Sequence, residues 1–171
     1  GGHTSVADST SHGSYLLNPD TTIGIPSTDA GTCNDRTDML NADTIVFYAS
    51  NPAWSAPGTP SYHYLRAKEA GVKFITVDPI YTASAQMLDA YWIPIRTGTD
   101  TAFMLGVASE MLRLDKEEGD VIDWDFLDKY TVGFDADHKP DDLKEDVNFR
   151  DYVEGVYDGQ PKTAEWASNI C

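Results

Sequence analysis

Two short runs of β-branched and aromatic residues stand out from a chain that is otherwise largely polar. Residues 43–48 are followed by Asn51-Pro52, and residues 72–77 are followed by Asp78-Pro79. Short runs rich in β-branched and aromatic residues and closed by a turn are typical of buried strands in a parallel sheet. Between them, residues 62–70 have helical periodicity and are closed by a glycine. This succession predicts two parallel strands joined by a right-handed crossover helix.

The pattern continues on both sides of this unit. It predicts a helical turn at 35–40, a short helix at 83–90, a third extended segment at 91–95 and a helix at 124–130. The strongest helix is predicted at 99–114, with Thr99 or Asp100 as its cap. We therefore expect a single α/β domain with a parallel sheet and flanking helices. Its parts are a loop-rich segment (1–41), the α/β core (42–134) and an acidic, largely irregular extension (135–171).

The charge of the chain argues against two classes of partner. Its 12 Lys and Arg residues face 28 Asp and Glu residues, which gives a formal net charge of −16. Such a surface favours neither nucleic acid nor an anionic membrane. No apolar run approaches the ~20 residues of a membrane-spanning helix, so we expect no direct membrane insertion. Cys33 and Cys171 lack any metal-binding spacing; we expect ordinary thiols, with a mutual disulfide as the alternative.

Polar residues follow both predicted strands at the place where parallel sheets bind ligands, outside their carboxyl ends. Asn51 offers a hydrogen-bond donor and an acceptor. Asp78, when ionised, only accepts, and it suits the N–H edge of a guanine or a ribose diol. Asn-Pro and Asp-Pro are also common turn formers, so the alternative is that both residues only cap strand ends.

The residues Thr97-Gly98-Thr99-Asp100 precede or begin the strongest predicted helix. Free backbone N–H groups at a helix start favour a polar ligand, and Gly98 allows the backbone to come close to it. Asp100 disfavours a phosphate there; its carboxylate either accepts from the N–H groups of a ligand or simply caps the helix. Ligand contact and capping both remain open.

Two common nucleotide-binding patterns and one nucleophile motif are missing from the sequence. There is no GxGxxG after either strand and no GxxxxGK[ST], so ordinary nicotinamide-dinucleotide and P-loop sites lose their main support. Ser11 has a neighbouring histidine, but no GxSxG elbow surrounds it. On chemistry alone, Ser11 is a loop serine.

Three segments resemble, in order and spacing, the signature blocks of the dimethyl sulfoxide reductase family of molybdopterin oxidoreductases. They are ADTIVFYASNP at 42–52, FITVDPIYT at 74–82 and WIPIRTGTDTA at 92–102, and the segments 126–135 and 162–167 are similar as well. The resemblance implies a Rossmann-like domain that binds molybdopterin guanine dinucleotide. The residues that it assigns to the nucleotide are Ser50, Asn51, Val77, Asp78, Pro79, Gly98, Thr99 and Asp100.

The first residues of the chain are similar to the segment that carries the metal ligand in this family. The resemblance implies that Ser11 is the catalytic ligand and coordinates molybdenum through its deprotonated oxygen. Asp8-Ser9-Thr10 replaces the usual Gly-Asp-aromatic run, which leaves Ser9 as an alternative. Ile80 and Thr97 stand where the family usually has Arg and Pro, so cofactor contacts or substrate range can differ.

The resemblance further implies an internal fragment of a catalytic subunit that reduces S-oxides or N-oxides by oxygen-atom transfer in anaerobic respiration. Its cofactor would be bis(molybdopterin guanine dinucleotide) with molybdenum, and a [4Fe-4S] cluster would lie elsewhere in the full-length subunit. An iron–sulfur electron-transfer subunit, a membrane anchor subunit and twin-arginine export to the periplasm or the extracytoplasmic membrane face complete the expectation. The excised segment should fold, bind cofactor weakly and be inactive. From the residues alone, a non-catalytic nucleotide-binding or scaffold module is the alternative.

Overall fold

The computed structural model of the chain describes residues 35–56, 58–139 and 147–171. Within this part of the chain, strands β1 (Thr44–Tyr48), β2 (Lys73–Val77) and β3 (Tyr91–Ile93) form a parallel sheet in the order β1-β2-β3. The register pairs Tyr48 with Val77 and Val77 with Ile93, so all three strands end at the same edge. The predicted α/β fold with a parallel sheet and flanking helices is confirmed.

The described part of the chain contains the four helices predicted at 62–70, 83–90, 99–114 and 124–130, in that order, and three others. They are α1 (Pro52–Ser55), α2 (Thr59–Glu69), α3 (Ala83–Leu88), α4 (Asp100–Glu118), α5 (Trp124–Tyr130), α6 (Phe149–Val153) and α7 (Ala164–Ile170), with a 3-10 helix at Arg36–Asn41 before β1. Asp35 caps that 3-10 helix by accepting from the Thr37 N–H at 2.8 Å. Helix α2 begins earlier than predicted, because Pro60 fits the first turn of a helix without losing a hydrogen bond.

The core lies between the sheet and helices α2 and α3. Phe47, Phe74 and Leu88 are buried there, and the Phe47 ring meets the Tyr64 ring edge-on at 5.0 Å. Side chains alternate between the two faces of a strand, so Tyr48 lies on the opposite face from Phe47. Tyr48 contacts Phe103 of α4, with ring centroids 6.3 Å apart. Helices α2 and α3 therefore cover one face of the sheet, and α4 contacts the other face at the end of β1.

Helix α4 continues to Glu118, beyond the end that apolar periodicity predicts. Arg113 forms ion pairs of 2.6 Å with Glu110 and with Glu117 along its surface. Asp115 accepts from the N–H groups of Val121 and Ile122, which closes the turn after the helix. No helix in the described part of the chain is long and apolar enough to cross a membrane.

The last two helices, α6 and α7, lie where the sequence pattern located no regular element. Between them, Lys162 is fully buried, with Nζ 2.5 Å from Asp158 Oδ2 and 2.5 Å from the Gln160 carbonyl. The same ammonium lies over the rings of Tyr152, at 4.8 Å, and of Trp166, at 5.4 Å. This contact set fixes α7 to the turn that follows α6.

Candidate functional site

The chain turns sharply where β1 ends. Ala49 adopts a left-handed conformation with φ of 47°, and its N–H donates to the Val77 carbonyl at 3.0 Å. Non-glycine residues in this conformation store strain, and they are frequent at ligand-binding sites. The turn delivers Ser50, which is exposed, and Asn51, which is half-buried, to the edge where the strands end.

The side chain of Asn51 is held in one orientation by Ser84, the second residue of α3. Asn51 Oδ1 accepts from Ser84 Oγ at 2.7 Å and from the Ser84 N–H at 3.2 Å. Because a backbone N–H can only donate, the atom facing it must be the amide oxygen. Among the described residues, Nδ2 of Asn51 has no hydrogen-bond partner. Asn51 therefore presents a donor at the edge of the sheet.

Asp78 presents the opposite chemistry on the neighbouring strand. Its backbone is fixed, since its N–H donates to the Ile93 carbonyl at 3.2 Å and its carbonyl accepts from Trp92 Nε1 at 2.8 Å. One carboxylate oxygen, Oδ1, accepts from the Ile80 N–H at 2.8 Å. Oδ2 has no hydrogen-bond partner in the part of the chain that the structure describes. Asp78 thus keeps a free acceptor between the buried Val77, at the end of β2, and the exposed Pro79.

The turn at Gly98 and Thr99 leads into α4. Gly98 has φ of 82°, and nothing lies within 4 Å of the position that a Cβ would take there. The hydroxyl of Thr99 donates to the Arg96 carbonyl at 2.7 Å. Thr99 therefore occupies the N-cap position of α4, but, contrary to the prediction, its side chain does not cap the helix. The first N–H groups of α4, which begins at Asp100, therefore lack a side-chain cap. Since Phe103, in the first turns of α4, meets Tyr48 at the end of β1, this turn lies at the same edge.

The structure thus places the three predicted segments at one edge of the sheet, which we call the rim: residues 50–51, 77–79 and 98–100. Ser84 is a rim partner that sequence reasoning missed, because it lies 33 residues from Asn51 and no local pattern links the two. Ser11 and Ser9 lie outside the described residues. A separate apolar crevice of about 440 Å³ between β3, α4 and α7 includes none of the predicted site residues among its lining.

A second group of polar side chains contains none of the rim residues, and its members pair with one another. His138 Nδ1 is 2.8 Å from Asp135 Oδ1, and Nε2 is 3.8 Å from Asp128 Oδ1. The hydrogen bond to Asp135 raises the pKa of His138 above its ordinary value and holds the pKa of Asp135 below its own. These contacts tie residues 135–138 to α5.

The rim offers hydrogen-bonding groups to a ligand. It offers an amide donor at Asn51, a carboxylate acceptor at Asp78 and, at the turn into α4, uncapped helix N–H groups next to an open backbone position at Gly98. Among the described rim residues no nucleophile is paired with a general base. This combination fits a ligand edge that carries donors next to acceptors, as a nucleotide base with its ribose does.

Comparison with known proteins agrees with the family resemblance of the segments at 42–52, 74–82 and 92–102. The family described as molybdopterin oxidoreductase matches residues 2–120, which include the whole rim. The trimethylamine-N-oxide reductase of Haemophilus influenzae is 37% identical over 140 residues, 78% of this chain and 15% of that protein. The dimethyl sulfoxide reductase of Escherichia coli is 33% identical over 141 residues, 80% of this chain and 17% of that protein. The dimethyl sulfoxide/trimethylamine N-oxide reductase of Cereibacter sphaeroides is 36% identical over 138 residues, 77% of this chain and 15% of that protein. The chain spans less than a fifth of the length of each relative.

Proposed function

The chain belongs to the molybdopterin oxidoreductase family, and on that premise we propose that its rim binds the guanine end of a molybdopterin guanine dinucleotide. The family implies a molybdenum–pterin cofactor. One observation supports the guanine dinucleotide form of this cofactor. An acceptor, Asp78 Oδ2, and a donor, Asn51 Nδ2, lie at the same sheet edge, and neither has a partner among the described residues. Guanine carries N1–H and N2–H donors on the same edge as its O6 acceptor, so one base can satisfy both groups.

Each segment of the rim has a separate part in this proposal. Asp78 accepts from guanine N–H groups or from ribose hydroxyls, while Asn51 donates to an acceptor of the nucleotide. Gly98 leaves room for the ligand to approach the backbone, and the uncapped N–H groups at the start of α4 donate to its oxygens. The proposal gives Ser50, Val77, Pro79, Thr99 and Asp100 the remaining contacts. Ile80 is 70% exposed and adds no charge where the family usually has Arg.

For the whole protein, we propose reduction of an S-oxide or N-oxide, the substrates named for the relatives. The full cofactor is proposed to be bis(molybdopterin guanine dinucleotide) with molybdenum, which when bound supplies oxygen-atom transfer and redox chemistry. Ser11, or Ser9 as the alternative, is the proposed metal ligand. A [4Fe-4S] cluster, an iron–sulfur subunit, a membrane anchor subunit and an extracytoplasmic location belong to the same proposal.

The proposal is tested on the full-length subunit with Asp78→Asn. The variant places an amide where a carboxylate is needed, and loss of a charged hydrogen bond predicts about a tenfold lower content of guanine nucleotide per protein. The content is measured by chromatography of acid-released nucleotide and by metal analysis of molybdenum. Asp89→Asn is the matched control, because Asp89 is an exposed residue with φ of 53°, a conformation that Asn tolerates.

The outcomes separate the possible functions. Loss of nucleotide in Asp78→Asn but not in Asp89→Asn supports the proposal. Wild-type protein that holds molybdenum without guanine nucleotide, or an Asp78→Asn variant with its full nucleotide content, contradicts it. Guanine nucleotide without molybdenum would instead indicate a non-catalytic binding module.

A further inference from the structure

We propose that Ser84 is a positioning residue, which fixes the amide of Asn51 so that the rim offers a donor at that point. The inference rests on the proposed function of the rim. Ser84 is fully buried, and its hydroxyl lies between two groups: it donates to Asn51 Oδ1 at 2.7 Å and accepts from the Ala53 N–H at 2.9 Å. A hydroxyl has one donor and two acceptor positions, so both contacts are satisfied together.

The orientation of Asn51 depends on this contact because the two ends of an amide are nearly the same in shape. Rotation by half a turn would exchange Oδ1 with Nδ2 and place an acceptor, rather than a donor, towards the ligand. The backbone N–H of Ser84 opposes that rotation through one longer bond of 3.2 Å. The hydroxyl could also accept from Nδ2, so the backbone N–H selects the orientation, while the shorter hydroxyl bond of 2.7 Å holds the amide in place and is the contact that a substitution can remove.

The contact also joins the two loops that carry the polar groups of the rim. Asn51 belongs to the turn after β1, whereas Ser84 lies near the start of α3, which follows Asp78 after β2. The bonds from Ser84 to Asn51 and Ala53 therefore hold the turn that carries the Asn51 donor against the segment that follows the Asp78 acceptor. A site organised before the ligand arrives loses less entropy on binding.

This geometry determines the kind of ligand atom that the rim accepts next to Asn51. Nδ2 can only donate, so the facing atom is an acceptor of the nucleotide, such as a carbonyl, a ring nitrogen or a phosphate or ribose oxygen. A group that presented an N–H there would leave two donors facing each other. Ser84 thus contributes to specificity without touching the ligand.

The test uses the full-length subunit with Ser84→Ala, Asn51→Ala and the double variant. Guanine nucleotide and molybdenum are measured per mole of protein, together with the melting temperature. Ser84→Ala removes both hydrogen bonds of the hydroxyl, and loss of the neutral bond to Asn51 predicts about a two- to tenfold lower cofactor content. Because Ser84 acts through Asn51, Ser84→Ala should lower the content no further when Asn51 is already Ala. If Ser84→Ala protein does not accumulate, Ser84→Cys, whose thiol is a weak donor, takes its place.

Ser61→Ala is the matched control, since the Ser61 hydroxyl braces the same loop without touching Asn51. It lies 3.2 Å from the Pro52 carbonyl and 3.2 Å from the Ala56 carbonyl. We expect Ser61→Ala to lower the melting temperature while leaving the cofactor content unchanged. Equal loss of cofactor in both serine variants would overturn the inference in favour of a purely structural role.

The remaining outcomes distinguish this inference from the proposed function. Cofactor loss in Asn51→Ala without loss in Ser84→Ala overturns the role of Ser84 and leaves the rim proposal intact. Full cofactor content in Asn51→Ala overturns both, because Asn51 would then not contact the nucleotide. Asn51→Asp adds an independent check: it keeps an acceptor for Ser84 but turns the donor into an acceptor, so we expect the cofactor content to fall while the melting temperature holds.

Discussion

Replacing Gly106 by alanine tests the close approach of helices α4 and α7. A Cβ at position 106 would lie 2.6 Å from Ala167 Cβ, and Ala167 is buried. Carbon atoms in contact prefer separations of about 3.5 to 4.0 Å, so the helices must move apart by about 1 Å. Overpacking of this kind costs about 1 to 3 kcal/mol, and the better helix propensity of alanine offsets about 1 kcal/mol of it. We expect a net loss of about 0 to 2 kcal/mol.

The compensating change gives the sharper measurement. Ala167→Gly alone should cost about 2 kcal/mol, from about 0.8 kcal/mol for a lost buried methyl and about 1 kcal/mol of helix propensity. The exchange Gly106→Ala with Ala167→Gly keeps one methyl at the contact, so it should lie within about 1 kcal/mol of wild type, which is less than the sum of the single losses. Urea unfolding of the 171-residue chain, followed by circular dichroism, measures all four proteins. Additive effects within about 0.5 kcal/mol would refute the packing argument.

Replacing Thr76, His138 or the counter-charge of Lys162 should change the stability of the chain. The buried hydroxyl of Thr76 has no partner among the described residues, so Thr76→Val should raise the free energy of unfolding by about 1 to 3 kcal/mol, whereas Thr76→Ser should not. Asp158→Ala should destabilise the chain more than Lys162→Met, because it leaves a buried ammonium without its counter-charge; urea unfolding gives the order, and the reverse order would contradict the argument. The raised pKa of His138 means that its ion pair contributes stability below about pH 6.5 and loses it as pH rises through the folded-state value. His138→Asn should therefore flatten the fall in melting temperature above pH 6.5, and an unchanged profile would exclude this cause.

The position of the rim could be predicted from the sequence because a general rule of parallel sheets applies. Asn51 and Asp78 each follow an apolar run, and parallel strands bring their carboxyl ends to one edge. Which atoms of these residues face a ligand could not be predicted. That depends on Ser84 and on the Ile80 N–H, whose contacts arise only when α3 and the turn before it pack against β2.

The helix boundaries, too, could be predicted only in part from the sequence. Apolar periodicity located α4 but ended it too early, because the last turns are supported by ion pairs of Arg113 that this periodicity does not register. Helices α6 and α7 are short, and the residues that hold them in place do not form a regular apolar pattern in the sequence. The contacts of the buried Lys162 with Asp158 and with two aromatic rings are an example. A lysine reads as exposed in sequence, so nothing local predicts its burial.

An experimental structure of the full-length subunit with its cofactor bound would locate the guanine directly. We predict a guanine base at the rim, with a base N–H or a ribose hydroxyl within hydrogen-bond distance of Asp78 Oδ2 and an acceptor of the nucleotide facing Asn51 Nδ2. A bound cofactor whose guanine lies away from Asn51, Asp78 and Gly98, or a subunit that holds no guanine nucleotide, would contradict it.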